Sequence, residues 1–178
     1  MNPGETFGIG SNGDTTNQYL TFILDGEEYG IDILRVQEIR GWSKTRPIPN
    51  SPSWLKGIID LRGSIVPIVD LRERFGLESI DYGPTTVVIV VRFHSDRNTD
   101  QRDMGVVVDA VSEVYSVDPK SVKPAPNVCG AIDEQLIDGI AMINEKIIML
   151  LDMDRLRAGV LAAPIPKRPD NTQRESQA

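Results

Sequence analysis

Asp70 and Asp152 fall at the ends of two similar apolar runs, "SIVPIVDL" and "KIIMLLDM". Two carboxylates at matched places could do general acid–base work, one held protonated and one ionised. The same placement suits a plainer task. An aspartate after a strand accepts hydrogen bonds from the first backbone N–H groups of a following helical turn. The matched positions favour the cap. Other candidates are thinner. His94 is the single histidine and sits in the polar stretch "HSDRNTDQRD", which reads as a solvated loop rather than a ligand or base. Cys129, before Gly130, has no histidine near it in sequence and reads as an idle or buried thiol. "GIGSNG", Gly8–Gly13, has the G-x-G-x-x-G spacing, but it follows no strand pattern and opens no helix pattern. No Cys, His or carboxylate set has metal-ligand spacing, so neither metal nor cofactor is expected. Such an inventory favours a protein that works through surfaces. On that view Arg62, beside Gly63 in "KGIIDLRGSIVPIVDL", needs an explanation. From the residues alone it is either a solvated turn residue or a cation held out for a partner.

The elements that must position these residues are short. The chain has 178 residues, enough for one domain or two small ones with a core of their own. "QYLTFILDGEEYGIDI" alternates in pairs around Asp25-Gly26 and predicts a β-hairpin. "WLKGIIDL" and "SIVPIVDL" predict strands flanking Arg62-Gly63, with Pro67 marking an edge, a bulge or a corner. "TTVVIVVRF", "DMGVVVDAVSEVYSV", "LIDGIAMI" and "KIIMLLDM" are further strands, and long helical patterns are few. Many short strands with turns between them predict a mainly β fold of barrel or sandwich type. Residues 1–16 read as a flexible lead-in. Residues 158–178 read as a largely disordered tail, with a short helix over Asp154–Ala163 at its start, leaving a folded unit over 17–157.

The chain also repeats itself. Offset by 75 residues, Gly30, Val36, Glu38 and Ile39 fall on Gly105, Val111, Glu113 and Val114. Offset by 82, Gly57, Ile58, Ile65, Val66 and Asp70 fall on Gly139, Ile140, Ile147, Ile148 and Asp152. Prolines recur as well, Pro47 and Pro49 against Pro124 and Pro126. Matching glycines, acids and prolines point to duplication rather than shared composition. Two similar barrels of roughly 60–70 residues follow, each too small to be stable alone, so they should fold as one unit with a groove between them.

Composition limits the partners. Hydrophobic residues make up 40% and charged residues 25%, ordinary for a globular protein. The net charge of −7 and the 6% of aromatic residues oppose an oligonucleotide-binding barrel, and no basic patch is apparent. The lone cysteine forms no internal disulfide, and the start lacks a signal-peptide pattern, which together suit a reducing cytoplasm. Apolar runs such as 86–91 and 147–151 fall far short of the ~20 residues of a membrane helix, so membrane insertion is not expected.

The stretches "EEYGIDILRVQEIRG", "LKGIIDLRGSIVPIVDLR", "TVVIVV" and "VKPAP" resemble the bacterial chemotaxis coupling family, CheW, over about residues 17–157. The resemblance implies two SH3-like five-stranded β-barrels related by a pseudo-twofold. It implies no enzymatic activity. It implies a cytoplasmic adaptor, recruited to membrane-associated receptor arrays, that bridges chemoreceptor tips and the regulatory domain of the histidine kinase CheA. An adaptor of the same family serving another kinase system, such as surface motility, is the alternative. Receptor-facing positions carried over by the resemblance are Val36, Glu38, Ile39, Gly57, Arg62, Val87 and Val108. Kinase-facing residues are not assigned. Val36, Ile39, Val87 and Val108 could equally be barrel core, and Gly57 equally a strand bend. Glu38 should face solvent and either pair with Arg62 or meet the partner. A monomer is expected when the protein is alone. The loop "FHSDRNTDQRDM" is longer and more polar than the short turn typical of the family, and the tail is longer too.

Overall fold

A computed structural model of the chain describes residues 15–93, 102–126 and 134–162. His94, Cys129, the Gly8–Gly13 stretch and the tail beyond residue 162 lie outside the described residues.

Among the described residues ten strands form two five-stranded sheets. The strands are β1 (Asn17–Leu24), β2 (Glu27–Asp32), β3 (Val36–Gly41), β4 (Leu55–Leu61), β5 (Ser64–Asp70), β6 (Val87–Phe93), β7 (Arg102–Val108), β8 (Ala110–Val117), β9 (Ile137–Ile143) and β10 (Lys146–Leu151). One sheet has the order β8-β1-β2-β10-β9 and the other β3-β6-β7-β5-β4. Advancing each strand number of one order by five, cyclically, produces the other, so the internal repeat is real at the level of topology. The repeats do not map one to one onto the sheets, however. The first sheet takes β1 and β2 from the first repeat and β8, β9 and β10 from the second; the other sheet does the reverse. The expectation that each repeat forms its own barrel is thereby corrected. Exchange of strands makes neither sheet complete without both repeats, which is the physical reason for one folding unit.

The two places where the repeats interlock are parallel ladders, β2 with β10 and β5 with β7. Gly30 stands opposite Leu150 in one and Gly105 opposite Ile68 in the other. A Cβ on Gly30 would lie 2.9 Å from Leu150 Cδ2, and one on Gly105 2.4 Å from Ile68 Cδ1. The repeated glycine is therefore a packing requirement of the crossover. Pro67 lies within β5, a strand with neighbours on both sides, yet β7 pairs only with Ile68–Asp70. The proline sits where that ladder has not begun, a local edge.

Alternation sorts the apolar side chains into three cores. Ile89 and Val91 of β6 enter a large shared core with Phe22, Tyr29, Val106 and Val108, contributed by both sheets. Val88 and Val90, pointing the other way, enter a smaller core with Val66, Ile68 and Val107. Ile148 and Leu150 fill the equivalent core of the other sheet with Val117 and Ala141. Strands buried on both faces read as continuous apolar runs, which is why "VVIVV" shows no alternation in sequence. Helix α1 (Leu71–Arg74) follows β5, and α2 (Met153–Ala162) follows β10, placing Leu71, Met153 and Leu156 over the shared core. α2 carries the fold past residue 157. Arg72, buried in α1, donates to Asp109 at 3.0 Å, to Asp25 at 2.9 Å and to the Glu78 carbonyl at 2.8 Å. This ties the β1–β2 turn, the β7–β8 junction and α1 together.

Candidate interaction face

The matched aspartates are caps. Asp70 Oδ1 accepts from the Glu73 N–H at 3.2 Å, and Asp152 Oδ1 accepts from the Arg155 N–H at 3.0 Å. The second oxygen of Asp70 accepts from the Tyr82 hydroxyl. Burial, and then this hydrogen bond, push the Tyr82 phenol far above the ordinary tyrosine range. Both carboxylates are thus committed to local structure. Among the described residues no group of three or more His, Cys, Asp or Glu side chains is arranged to hold a metal ion. No helix among them is long and apolar enough to cross a membrane.

Arg62 lies in the two-residue turn of the β4–β5 hairpin, between the paired residues Leu61 and Ser64. Both turn residues have positive φ, 53° at Arg62 and 85° at Gly63. This is the geometry of the primed hairpin turns, whose first position favours Asn, Asp or Gly. The β1–β2 and β9–β10 turns obey that preference at their first positions, with Asp25 and Asn144. Arginine there breaks a local rule, and local rules are broken chiefly at functional or strained sites. Asp60 Oδ1 accepts from the Gly63 N–H at 2.8 Å and steadies the turn.

The guanidinium reaches across the sheet. Arg62 Nη2 lies 3.2 Å from Glu38 Oε2, although β3 and β4 are opposite edges of the sheet order. The sheet is therefore rolled until its edges approach each other. A second link joins the same edges: Arg46, just after β3, forms an antiparallel bridge with Ile58 of β4. Arg62 remains 84% exposed in its side chain while Glu38 is largely covered, so the acid anchors one side of the arginine and leaves the rest free.

Of the seven positions carried over from the resemblance, all are on this sheet, but they do not share one surface. Arg62 and Ile39 are exposed, Ile39 at 44%, whereas Glu38 is partly covered and faces the other side of β3 from Ile39. Val36 and Val87 are half-buried against the shared core. Val108 is 1% exposed, inside that core opposite Val87. Gly57 is buried with φ 131°, and a Cβ there would lie 2.2 Å from the Arg46 carbonyl oxygen. Its equivalent Gly139 would place a Cβ 2.4 Å from Val122 and 3.0 Å from the Lys123 carbonyl oxygen, where Lys123 bridges Ile140. Proline-bearing straps, Arg46-Pro47 and Lys123-Pro124, thus cross the two glycines in the same way.

Two features escaped the sequence reading. Arg40, Lys44 and Arg46 gather in a cleft beside Ile65, a local basic patch where none was expected. The signal was there, three cations within "RGWSKTR", though only the rolled sheet brings them together. On the other sheet Met142 and Ile147 form a cross-strand pair, 67% and 53% exposed. Val114, the repeat equivalent of Ile39, is also exposed there.

The family model for the CheW-like domain matches residues 18–159. The chemotaxis protein CheW of Klebsiella aerogenes is 42% identical over 145 residues, covering 81% of this chain and 84% of that protein. The CheW of Rhizobium meliloti is 31% identical over 137 residues, covering 77% and 84%. The crystal structure of the scaffolding protein TtCheW from Thermoanaerobacter tengcongensis matches with a TM-score of 0.69 and 33% identity, over 78% of this chain and 85% of that one. With two interlocked five-stranded SH3-like sheets and these relatives spanning most of its length, the chain belongs to the CheW family of chemotaxis proteins.

Proposed function

We propose that this protein is a non-catalytic scaffold that couples the cytoplasmic tips of chemoreceptors to the histidine kinase CheA. Family membership supports the adaptor role, and the accessible, turn-strained Arg62 braced by Glu38 is the observation that carries the receptor-facing assignment. A receptor tip is a helical hairpin, and an arginine held at a groove rim can grip a carboxylate or helix carbonyls with two donors at once. Ile65 supplies apolar contact near the turn, and Ile39 does so on the opposite face of β3, the face of Val36 and Val87. Val36 and Val87 form the half-buried support under that face, and Gly57 and Val108 act beneath it by shaping the strap crossing and the core.

A coupler needs a second face. The other sheet leaves the Met142–Ile147 pair and Val114 uncovered, and where it has Met142 the receptor-facing sheet has Asp60. An apolar patch suits docking of a like-folded domain, so this face is given to the CheA regulatory domain. The protein alone is a monomer in this reading, cytoplasmic, and drawn to receptor arrays by its partners.

Calorimetric titration of the full chain with a CheA regulatory domain and, separately, with a receptor-tip fragment from the same cell tests this. Both should bind. Met142→Asp should weaken the kinase domain and spare the receptor fragment. Binding to neither refutes the coupling role, and binding to the kinase alone refutes the receptor face.

A further inference from the structure

Next to Arg62, between the approaching edges of the rolled sheet, lies a cleft of about 410 Å³. Arg40, Ser43, Lys44 and Arg46 line one side, and Ile59, Asp60 and Ile65 the other. We infer that this cleft receives the acidic stripe of an amphipathic helix, so that the partner segment engaged beside Arg62 carries carboxylates at its contact. The inference rests on the receptor-facing reading above and names the chemistry of that same site.

The cations are held in place. The Thr45 hydroxyl donates to the Lys56 carbonyl at 2.6 Å. Arg46 and Ile58 exchange two backbone hydrogen bonds, each 2.9 Å. The missing Cβ of Gly57 lets the strap come this close. With Thr45 turned to the strand, Lys44 and Arg46 on either side of it are exposed and share the opposite direction, as alternation in extended chain requires. Arg40 shares the face of Glu38 two residues earlier on β3. None of the three cations has an ion-pair partner among the described residues, which is also true of Arg74, Arg102, Lys120, Lys123 and Arg157; what sets these three apart is that they gather on one cleft. Asp60, the carboxylate on the cleft among the described residues, is engaged by the turn N–H.

Three unpaired cations gathered together repel one another, a cost that a carboxylate-bearing partner relieves. The rest of the molecule selects the kind of anion. At a net charge of −7, extended polyanions such as nucleic acid or an anionic bilayer are repelled by the remaining surface. A short helix presenting a few carboxylates meets only the local field. Ile65, on the cleft and 63% exposed, flanks the cations and offers aliphatic contact to the same helix. This combination is what helix-in-groove recognition uses.

Lys44→Glu/Arg46→Glu in the full chain is the test, titrated with the receptor-tip fragment at low and high salt and with the CheA regulatory domain as control. Both residues are exposed and only the Arg46 backbone is structural, so thermal unfolding should be unchanged. Affinity for the receptor fragment should fall at least tenfold, the salt dependence of the parent should flatten in the variant, and kinase-domain affinity should stay the same. Receptor affinity unchanged in the variant overturns the inference while leaving the coupling role intact. Parent binding to neither fragment refutes the coupling role, and the inference falls with it. Parent binding to anionic phosphatidylglycerol vesicles that the variant loses, with receptor affinity unchanged, assigns the cleft to a lipid surface instead.

Discussion

Arg62→Asn separates stability from recognition. Arginine at φ 53° occupies the left-handed region at a cost of about 1 kcal/mol, most of which asparagine avoids. Against that gain stands the loss of the Arg62–Glu38 pair. With the guanidinium 84% exposed, that pair is worth only about 0.2–1 kcal/mol. The two effects nearly cancel, so the variant should be as stable as the parent to within about 1 kcal/mol, a shift of no more than about 4 °C in Tm for a domain of this size. Binding should behave quite differently, because the arginine presented by the hairpin turn is gone while the neighbouring cleft cations stay in place. Truncating an arginine contact of the kind that dominates interfaces costs about 2 kcal/mol or more, a loss of roughly thirtyfold in affinity for the receptor-tip fragment. Thermal unfolding and calorimetric titration on the same preparation decide the matter. A fall in Tm well beyond 4 °C would make Arg62 a structural brace and remove the ground for calling it presented. Unchanged affinity at unchanged Tm would leave the strained turn without the function assigned to it.

Further outcomes follow from the packing. Arg72→Ala should lower the unfolding free energy from denaturant titration by about 1.5–3 kcal/mol, since it strips the largely covered Asp109 and the half-exposed Asp25 of a buried forked donor, and Arg72→Lys should recover only part of this. Gly57→Ala should destabilise more than Gly105→Ala. The first meets a backbone carbonyl at positive φ, whereas the second meets the rotatable end of Ile68 and should cost about 1–3 kcal/mol; the opposite order in chemical denaturation would refute the strap reading. Tyr82→Phe should cost about 1–2 kcal/mol at neutral pH by removing the hydrogen bond to Asp70. Because the folded phenol holds its proton more tightly than the unfolded one, its contribution is complete below pH ~10 and is lost as pH rises beyond. The stability gap between parent and Tyr82→Phe should therefore narrow above pH 10 in denaturation series; a constant gap would contradict the assigned burial.

Much of this protein was legible in one dimension. Hairpin turns announce themselves by residue type, so Asp25-Gly26 located two strand ends, and Gly63 between two apolar runs located two more although Arg62 breaks the rule. Capping is a local act, so the aspartates of "SIVPIVDL" and "KIIMLLDM" could be read as caps before any geometry was known. The repeated glycines, acids and prolines identified a duplication because each answers a local steric or hydrogen-bonding need that recurs with the fold. What the chain alone could not disclose depends on contacts between residues distant in sequence. Which strands belong to which sheet is decided by the parallel ladders at Gly30 and Gly105, and adjacency in sequence points to the wrong partition. Val108 and Ile39 are both aliphatic residues in apolar strands, yet one is sealed in the shared core and the other meets solvent, because burial depends on what the second sheet covers. The cation cleft exists only where the rolled sheet brings the strap of Lys44 and Arg46 beside Ile65. Local chemistry is written residue by residue, whereas a surface is made by the closure of the sheet that carries it.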